Sequence, residues 1–387
     1  MKKSIWITMI VAVACILSGL ACIAVGHGLG GHRILMEDAL YGDHTVDGTH
    51  HISRDFDRIR IDVIAASVEL IPSEDDKCRV MTKDSEYVEY TVSVVEDTLV
   101  VRATDTRKWY ERLFTVSVSG RSVKVALPRE AYKSLTVETV SGQVNINVRY
   151  TFSEDVTLTS TSGNIGTAAS IGGHLDMRST SGDLYAMGFL NTVTARSTSG
   201  KITLGGKTVY GDCTAATADL ETTSGEIRVK TATLERLAAQ TGSGGIRMES
   251  VTVTGDTSVE TTSGGISLLY ATCGSLTAET GSGGIDLTDT TVTGHIQAET
   301  TSGSIRFTRA DAATLHLKTT SGSVTGSLLT PKIFYTDTTS GSVDVPKSTE
   351  GGHCEIETTS GSIRITIEDC PITKAPLPDS GKGAVFG

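Results

Sequence analysis

Aromatic side chains make up only 5% of this 387-residue chain, and proline occurs seven times. So few rings argue against a wide globular core, and so little proline argues against collagen-like or polyproline architecture. Basic residues fall short of acidic ones, 34 against 45, for a formal net charge of -11. Phosphate contacts need Lys and Arg, so no nucleic-acid partner is expected, nor adhesion to anionic lipid by charge. Cysteine is sparse and irregular. Cys15 and Cys22 lie in an N-terminal apolar run, and Cys78, Cys213, Cys273, Cys354 and Cys370 share no repeat position. There is no CxxC or zinc-type Cys/His spacing, so no disulfide framework or zinc site is expected. A single Cys354–Cys370 bridge stays open. The HExxH and GxSxG patterns are missing too. Gly206-Lys-Thr208 mimics the end of a phosphate loop, but Lys201 stands where that loop needs glycine. No catalytic residues and no cofactor are expected.

Glycine is plentiful, at 41 residues, and much of it is periodic. Ser-Gly pairs begin at Ser141, Ser162, Ser181, Ser199, Ser224, Ser243, Ser263, Ser282, Ser302, Ser321, Ser340 and Ser360. A near-constant step of this size marks a solenoid. Around each pair apolar and polar residues alternate, as in Ile296, Ala298, Ile305 and Phe307 against Gln297, Glu299 and Arg306. Period two is the sign of strands with one buried face. Two strands joined by Ser-Gly make one coil of about 20 residues, and coils stack as a parallel β-helix about 4.8 Å apart. The glycine is expected to turn the corner at positive φ. Two residues before each serine stands another Ser or Thr, from Thr139 to Thr358. Parity turns this column inward, where its hydroxyls can bond along the stack. A nucleophile would not be copied at every corner, so the column reads as structural.

The fold class read from this pattern is all-β, a parallel β-solenoid preceded by one N-terminal transmembrane helix. Lys2-Lys3 precede an uncharged apolar run, Ile5 to Val25. That length suits a membrane span with the lysines inside and the rest of the chain outside. A cleaved signal peptide, and hence a secreted protein, is the alternative. The organisation then reads as anchor 1–27, linker 28–55, irregular β coils forming a cap 56–128, regular solenoid 129–368 and tail 369–387. Ala66-Ser-Val-Glu-Leu70 reads as a degenerate corner within the cap.

The segment Ile59 to Pro72, the strand ending Leu127-Pro128 and the serial Thr-Thr-Ser-Gly-x-Ile units resemble the bacterial putative-adhesin β-repeat family, a domain of unknown function in cell-envelope proteins. The resemblance spans residues 56–367. It implies a β-helix-like fold and an envelope location, and it carries no catalytic residues.

Three surface features remain as candidates. Three residues before the corner serine, Glu260, Glu279 and Glu299 form an outward column, read as a solvated face or as weak divalent-cation sites. Four residues after it, Arg228, Arg247 and Arg306 recur among Asp286 and Asp344, a mixed face or a docking strip for acidic glycans. The long step from Ser199 to Ser224 leaves about six residues to leave the stack between Gly205 and Thr217, where inserts in solenoids often bind. Lys207 and Tyr210 are its candidate contacts. His44, His50, His51, Asp43 and Asp47 lack any element to fix a metal geometry and read as linker. The sequence thus points to a non-enzymatic, membrane-anchored surface scaffold with an unknown glycan or protein ligand. A carbohydrate-active β-helix enzyme and a regulatory envelope component are the alternatives.

Overall fold

The computed structural model describes residues 45–85, 87–107, 120–147, 150–208 and 211–368. The expected anchor, the tail 369–387 and Tyr210 lie outside the described residues. No helix among the described residues is long and apolar enough to cross a membrane. The chain is all-β and divides into two compact units, Met1–Gly200 with Lys207–Gly211, and Lys201–Gly206 with Asp212–Gly387. The step in sequence regularity at 128/129 falls inside the first unit.

In the first unit the strands Ser134–Thr139, Val156–Ser160, Ser170–Ser179 and Leu190–Ser197 stack in parallel, one per coil. The strands after the corner, Val144–Ile146, Ile165–Thr167 and Leu184–Ala186, stack likewise. Arg58–Asp62 and Ser67–Pro72 add a coil beneath, and Ala66 supplies its degenerate corner under Gly142. The outermost coil comes later in the chain: Thr98–Asp105 and Ser122–Leu127 lie outside Arg58–Asp62 and Ser67–Pro72. Antiparallel strands then close this end. Val88–Val95 pairs with Thr98–Asp105, Cys78–Ser85 with Ser122–Leu127, and Thr45–Ile52 with Cys78–Ser85. Residues 45–52, read from sequence as linker, are therefore a strand; alternation is weak there because it pairs at a sheet edge and buries little.

In the second unit, Ile227–Thr241, Ile246–Thr261 and Ile266–Thr280 each run through most of a coil and stack in register. Ile305–Thr319 receives Ile285–Thr288 and Thr291–Thr300 on one side. On its other side the order departs from the sequence. Leu315↔Cys354 and Thr319↔Thr358 pair directly, and Lys332–Thr338 pairs outside Gly352–Thr358. Val324–Leu328 likewise contacts Ile363–Ile367, with Val343–Asp344 beyond. The last coil in sequence is thus inserted beneath the one before it.

Aliphatic files fill the interior. Ile246, Ile266, Ile285 and Ile305 are all essentially inaccessible, as are Met248, Leu268 and Leu287. Cys78, Cys213, Cys273 and Cys354 are buried free thiols. Five coils of this unit also make a second bend that no glycine marks: Thr231, Ser250, Tyr270, Asp289 and Arg309 all have φ between 42° and 55°, whereas the coil before them bends at Gly205 and Gly206.

The glycine expectation needs correction. Gly244, Gly264, Gly283 and Gly303 are not in the left-handed region. They are required because the chain beneath comes too close. A Cβ on Gly264 would lie 1.8 Å from the Gly244 carbonyl oxygen, and one on Gly283 would lie 1.8 Å from that of Gly264.

Candidate functional site

The corner hydroxyls are committed to the stack. Thr280 Oγ1 accepts the Gly283 amide proton at 3.1 Å and donates to the Gly264 carbonyl at 2.8 Å. Thr241, Thr261, Thr300 and Thr319 make the same pair of bonds. Each hydroxyl uses its donor and an acceptor site on buried or partly buried backbone groups. This gives the threonine two residues before each of these Ser-Gly pairs a structural role.

The carboxylate column forms as read: Glu260 lies opposite Glu279, and Glu279 opposite Glu299. The three border a shallow groove of about 360 Å3 together with Thr262, Thr301 and Lys318. Gln240 donates to Glu260 at 3.4 Å and Gln297 to Glu299 at 2.8 Å. One carboxylate per coil does not converge on a point. Among the described residues no group of three His, Cys, Asp or Glu is placed to hold a metal ion. The column ends in compensation: Lys318 bonds Glu357 at 2.9 Å. That hydrogen bond, with the lysine's charge, holds the Glu357 carboxyl below its ordinary value.

The arginine column also forms, with Arg228 opposite Arg247 and Arg306 opposite Asp286. Arg228 pairs with Glu226 at 2.7 Å, and Arg306 reaches Asp286 at 3.9 Å. It is a mixed-sign face rather than a basic strip. The long step is narrower than read from sequence, because Cys213 to Thr217 already stack in register on Ala232 to Arg236. The extra residues fall around the two-residue strand Lys207–Thr208, flanked by Gly206 and Gly211 at positive φ. Lys207 is placed there by its backbone.

One site escaped sequence reading. Where Thr45–Ile52, the turn after Ser67–Pro72 and the loop after Ser122–Leu127 meet, the first unit holds a cavity of about 520 Å3. Its inner wall is Ile52, Phe56, Cys78, Pro128 and Tyr132, and its rim carries Arg54, Asp55, Asp76 and Lys77. Phe56 and Tyr132 stack at 5.7 Å. Arg129 lies 5.2 Å over the Tyr132 ring and bonds the Phe56 carbonyl and Asp57. Hydrogen bonds from Lys133, then Arg129, hold Asp57 below its ordinary value. Burial pushes both the Cys78 thiol and the Tyr132 phenol up to about 12, so neither is an activated nucleophile near neutral pH. The contributing residues come from three irregular segments with no shared spacing, and no motif flags them.

Stacked coils, hydroxyl-locked Thr-Ser-Gly corners and in-register charged files define a parallel β-solenoid with an extended surface. The chain belongs to the Toastrack DUF4097 family, whose model matches residues 56–189 and again 185–365. Solved structures that the chain matches include proteins described as putative adhesins. That from Parabacteroides merdae is 15% identical, with 75% of this chain and 97% of that one covered and a TM-score of 0.36. That from Parabacteroides distasonis is 14% identical, covering 74% and 97%, TM-score 0.35. That from Bacteroides fragilis is 13% identical, covering 84% and 98%, TM-score 0.32. No curated protein matches the chain.

Proposed function

We propose that the protein is a non-enzymatic scaffold at the cell surface, held to the membrane through residues 5–25 and offering its coil faces to a glycan or protein ligand. The observation that carries this reading is how the polar groups are used. Corner threonine hydroxyls are bound to backbone, and charged side chains run in files along the coils, with carboxylates in one file and mixed signs in the next, over surfaces longer than a catalytic cleft needs. The uncharged run Ile5 to Val25 behind Lys2-Lys3 supports the anchor, and the resemblance of the Thr-Thr-Ser-Gly units to the bacterial putative-adhesin β-repeat family supports the surface role. Fold alone does not give function, so the test is direct. In intact cells producing the chain, external protease should remove epitopes placed after residue 45, and deletion of the gene should lower adhesion to a glycan- or protein-coated surface. Epitopes protected until lysis would reject the surface location. Turnover of any member of a polysaccharide panel would favour the enzyme alternative.

A further inference from the structure

The rim of the cavity in the first unit pairs opposite charges in an unusual way. Arg54 stands beside Asp55, and Lys77 beside Asp76, on two segments that face one opening. Neither cation has an ion-pair partner within 4 Å among the described residues; Arg54 only donates to the Val94 carbonyl at 3.1 Å. In a chain of net charge -11, two uncompensated cations at one mouth are notable. Asp55 and Asp76 likewise make no ion pair among the described residues. Behind them the wall is apolar, with Ile52 and Pro128 partly exposed to the cavity. Its volume of about 520 Å3 falls in the range of small-molecule sites.

These features select a ligand. The unpaired cations ask for one negative charge, and Arg offers a planar fork that matches a carboxylate. The neighbouring carboxylates repel a compact multiply charged anion such as phosphate, but they accept hydrogen bonds from hydroxyls. The apolar wall suits the C–H face of a ring. A molecule with one carboxylate, several hydroxyls and a partly apolar ring face satisfies all three. We propose that this cavity binds a single acidic sugar unit, a hexuronate or sialate residue at the end of a glycan chain, with Arg54 and Lys77 holding its carboxylate and Asp55 and Asp76 receiving its hydroxyls. The inference deepens the surface-scaffold reading and rests on it for the source of the sugar.

The test uses the full chain in detergent and four probes: glucuronic acid, N-acetylneuraminic acid, glucose and inorganic phosphate. Calorimetry or ligand-observed NMR should give a dissociation constant of about 1 mM for at least one acidic sugar, as expected for so small a ligand. Glucose should bind about tenfold or more weaker, and raised salt should weaken the acidic sugar only. The double variant Arg54→Gln/Lys77→Gln alters exposed side chains and should fold normally. It should bring the acidic sugar down to the glucose level and leave glucose unchanged. No acidic-sugar binding, binding unaltered in the double variant, or phosphate binding as tightly as the sugar each overturn the proposal. Adhesion by intact cells reads separately: adhesion that survives the double variant leaves the scaffold standing and removes only this cavity from it, and protease protection removes the scaffold whatever the cavity binds.

Discussion

Thr280 shows what one residue does at a corner. Replacing it with valine keeps the volume but strands the Gly283 amide and the Gly264 carbonyl, both now bonded to its hydroxyl. Both groups are partly buried, so leaving them unpaired should cost about 1–3 kcal/mol together, and Thr280→Ser should recover most of the loss. Chemical denaturation of the variants checks this; a valine variant as stable as the parent would show the hydroxyl to be idle. Gly264→Ala should be at least as severe, about 3 kcal/mol or more, because the new Cβ must push apart two backbones. The opposite sign is expected at the second bend. Thr231 is β-branched with φ of 42°. The strain of that conformation exceeds the entropy glycine would lose on folding, so Thr231→Gly should stabilise by about 0.5–1 kcal/mol in the same assay. Composition misleads here: the sequence puts glycine at Ser-Gly corners that have ordinary φ and leaves it out of the five bends from Thr231 to Arg309 that do not.

At the scale of the element, in-register stacking turns single charges into files. Lys318 lies between Glu299 and Glu357 in its file, and Glu357 titrates below its ordinary value because of that lysine. A depressed carboxyl contributes stability above its unfolded pKa and loses it as pH falls through the folded value. Glu357→Gln should therefore lower Tm at about pH 7, and its difference from the parent should be smaller at about pH 3, as falling pH takes the parent's carboxyl toward its protonated form. An equal Tm difference at both pH values would exclude the ion pair as its cause. The files themselves were legible in the sequence, since a fixed offset from each Ser-Gly pair became a column. The partners were not: the sequential neighbours of Lys318 in its file were Glu299 and Asp337, and the fold exchanged Asp337 for Glu357.

At the scale of the molecule, both ends depart from chain order in the same sense, each within its own unit. A coil from further inside the sequence lies outermost, and the coil nearer the chain end is enclosed. A cysteine pair distinguishes the orders. His316 and Glu355 lie opposite each other on exposed positions. His316→Cys with Glu355→Cys should oxidise to a disulfide, whereas His316→Cys with Tyr335→Cys should not. Stacking in sequence order would give the reverse result on non-reducing gels. The enclosed coil is the more apolar one: it buries Cys354, Ile356, Ile363 and Ile365, while the outer coil offers Phe334 and Thr336 at the matching positions and leaves Val343 45% exposed. Enclosing the more apolar coil removes more hydrocarbon from water.

By itself the chain's periodicity determined that strands alternate, that they coil, and that identical side chains line up; these follow from local chemistry repeated at fixed spacing. It could not determine which of two coils bearing the same Thr-Thr-Ser-Gly-Ser corner, at 338–342 or 358–362, would end the stack. Either corner satisfies the hydrogen bonds of the coil beneath, so only total burial across the finished unit separates them. The cavity behind Arg54 and Lys77 belongs to the same class of fact: its wall and rim come from segments that meet only when the antiparallel strands close the first unit.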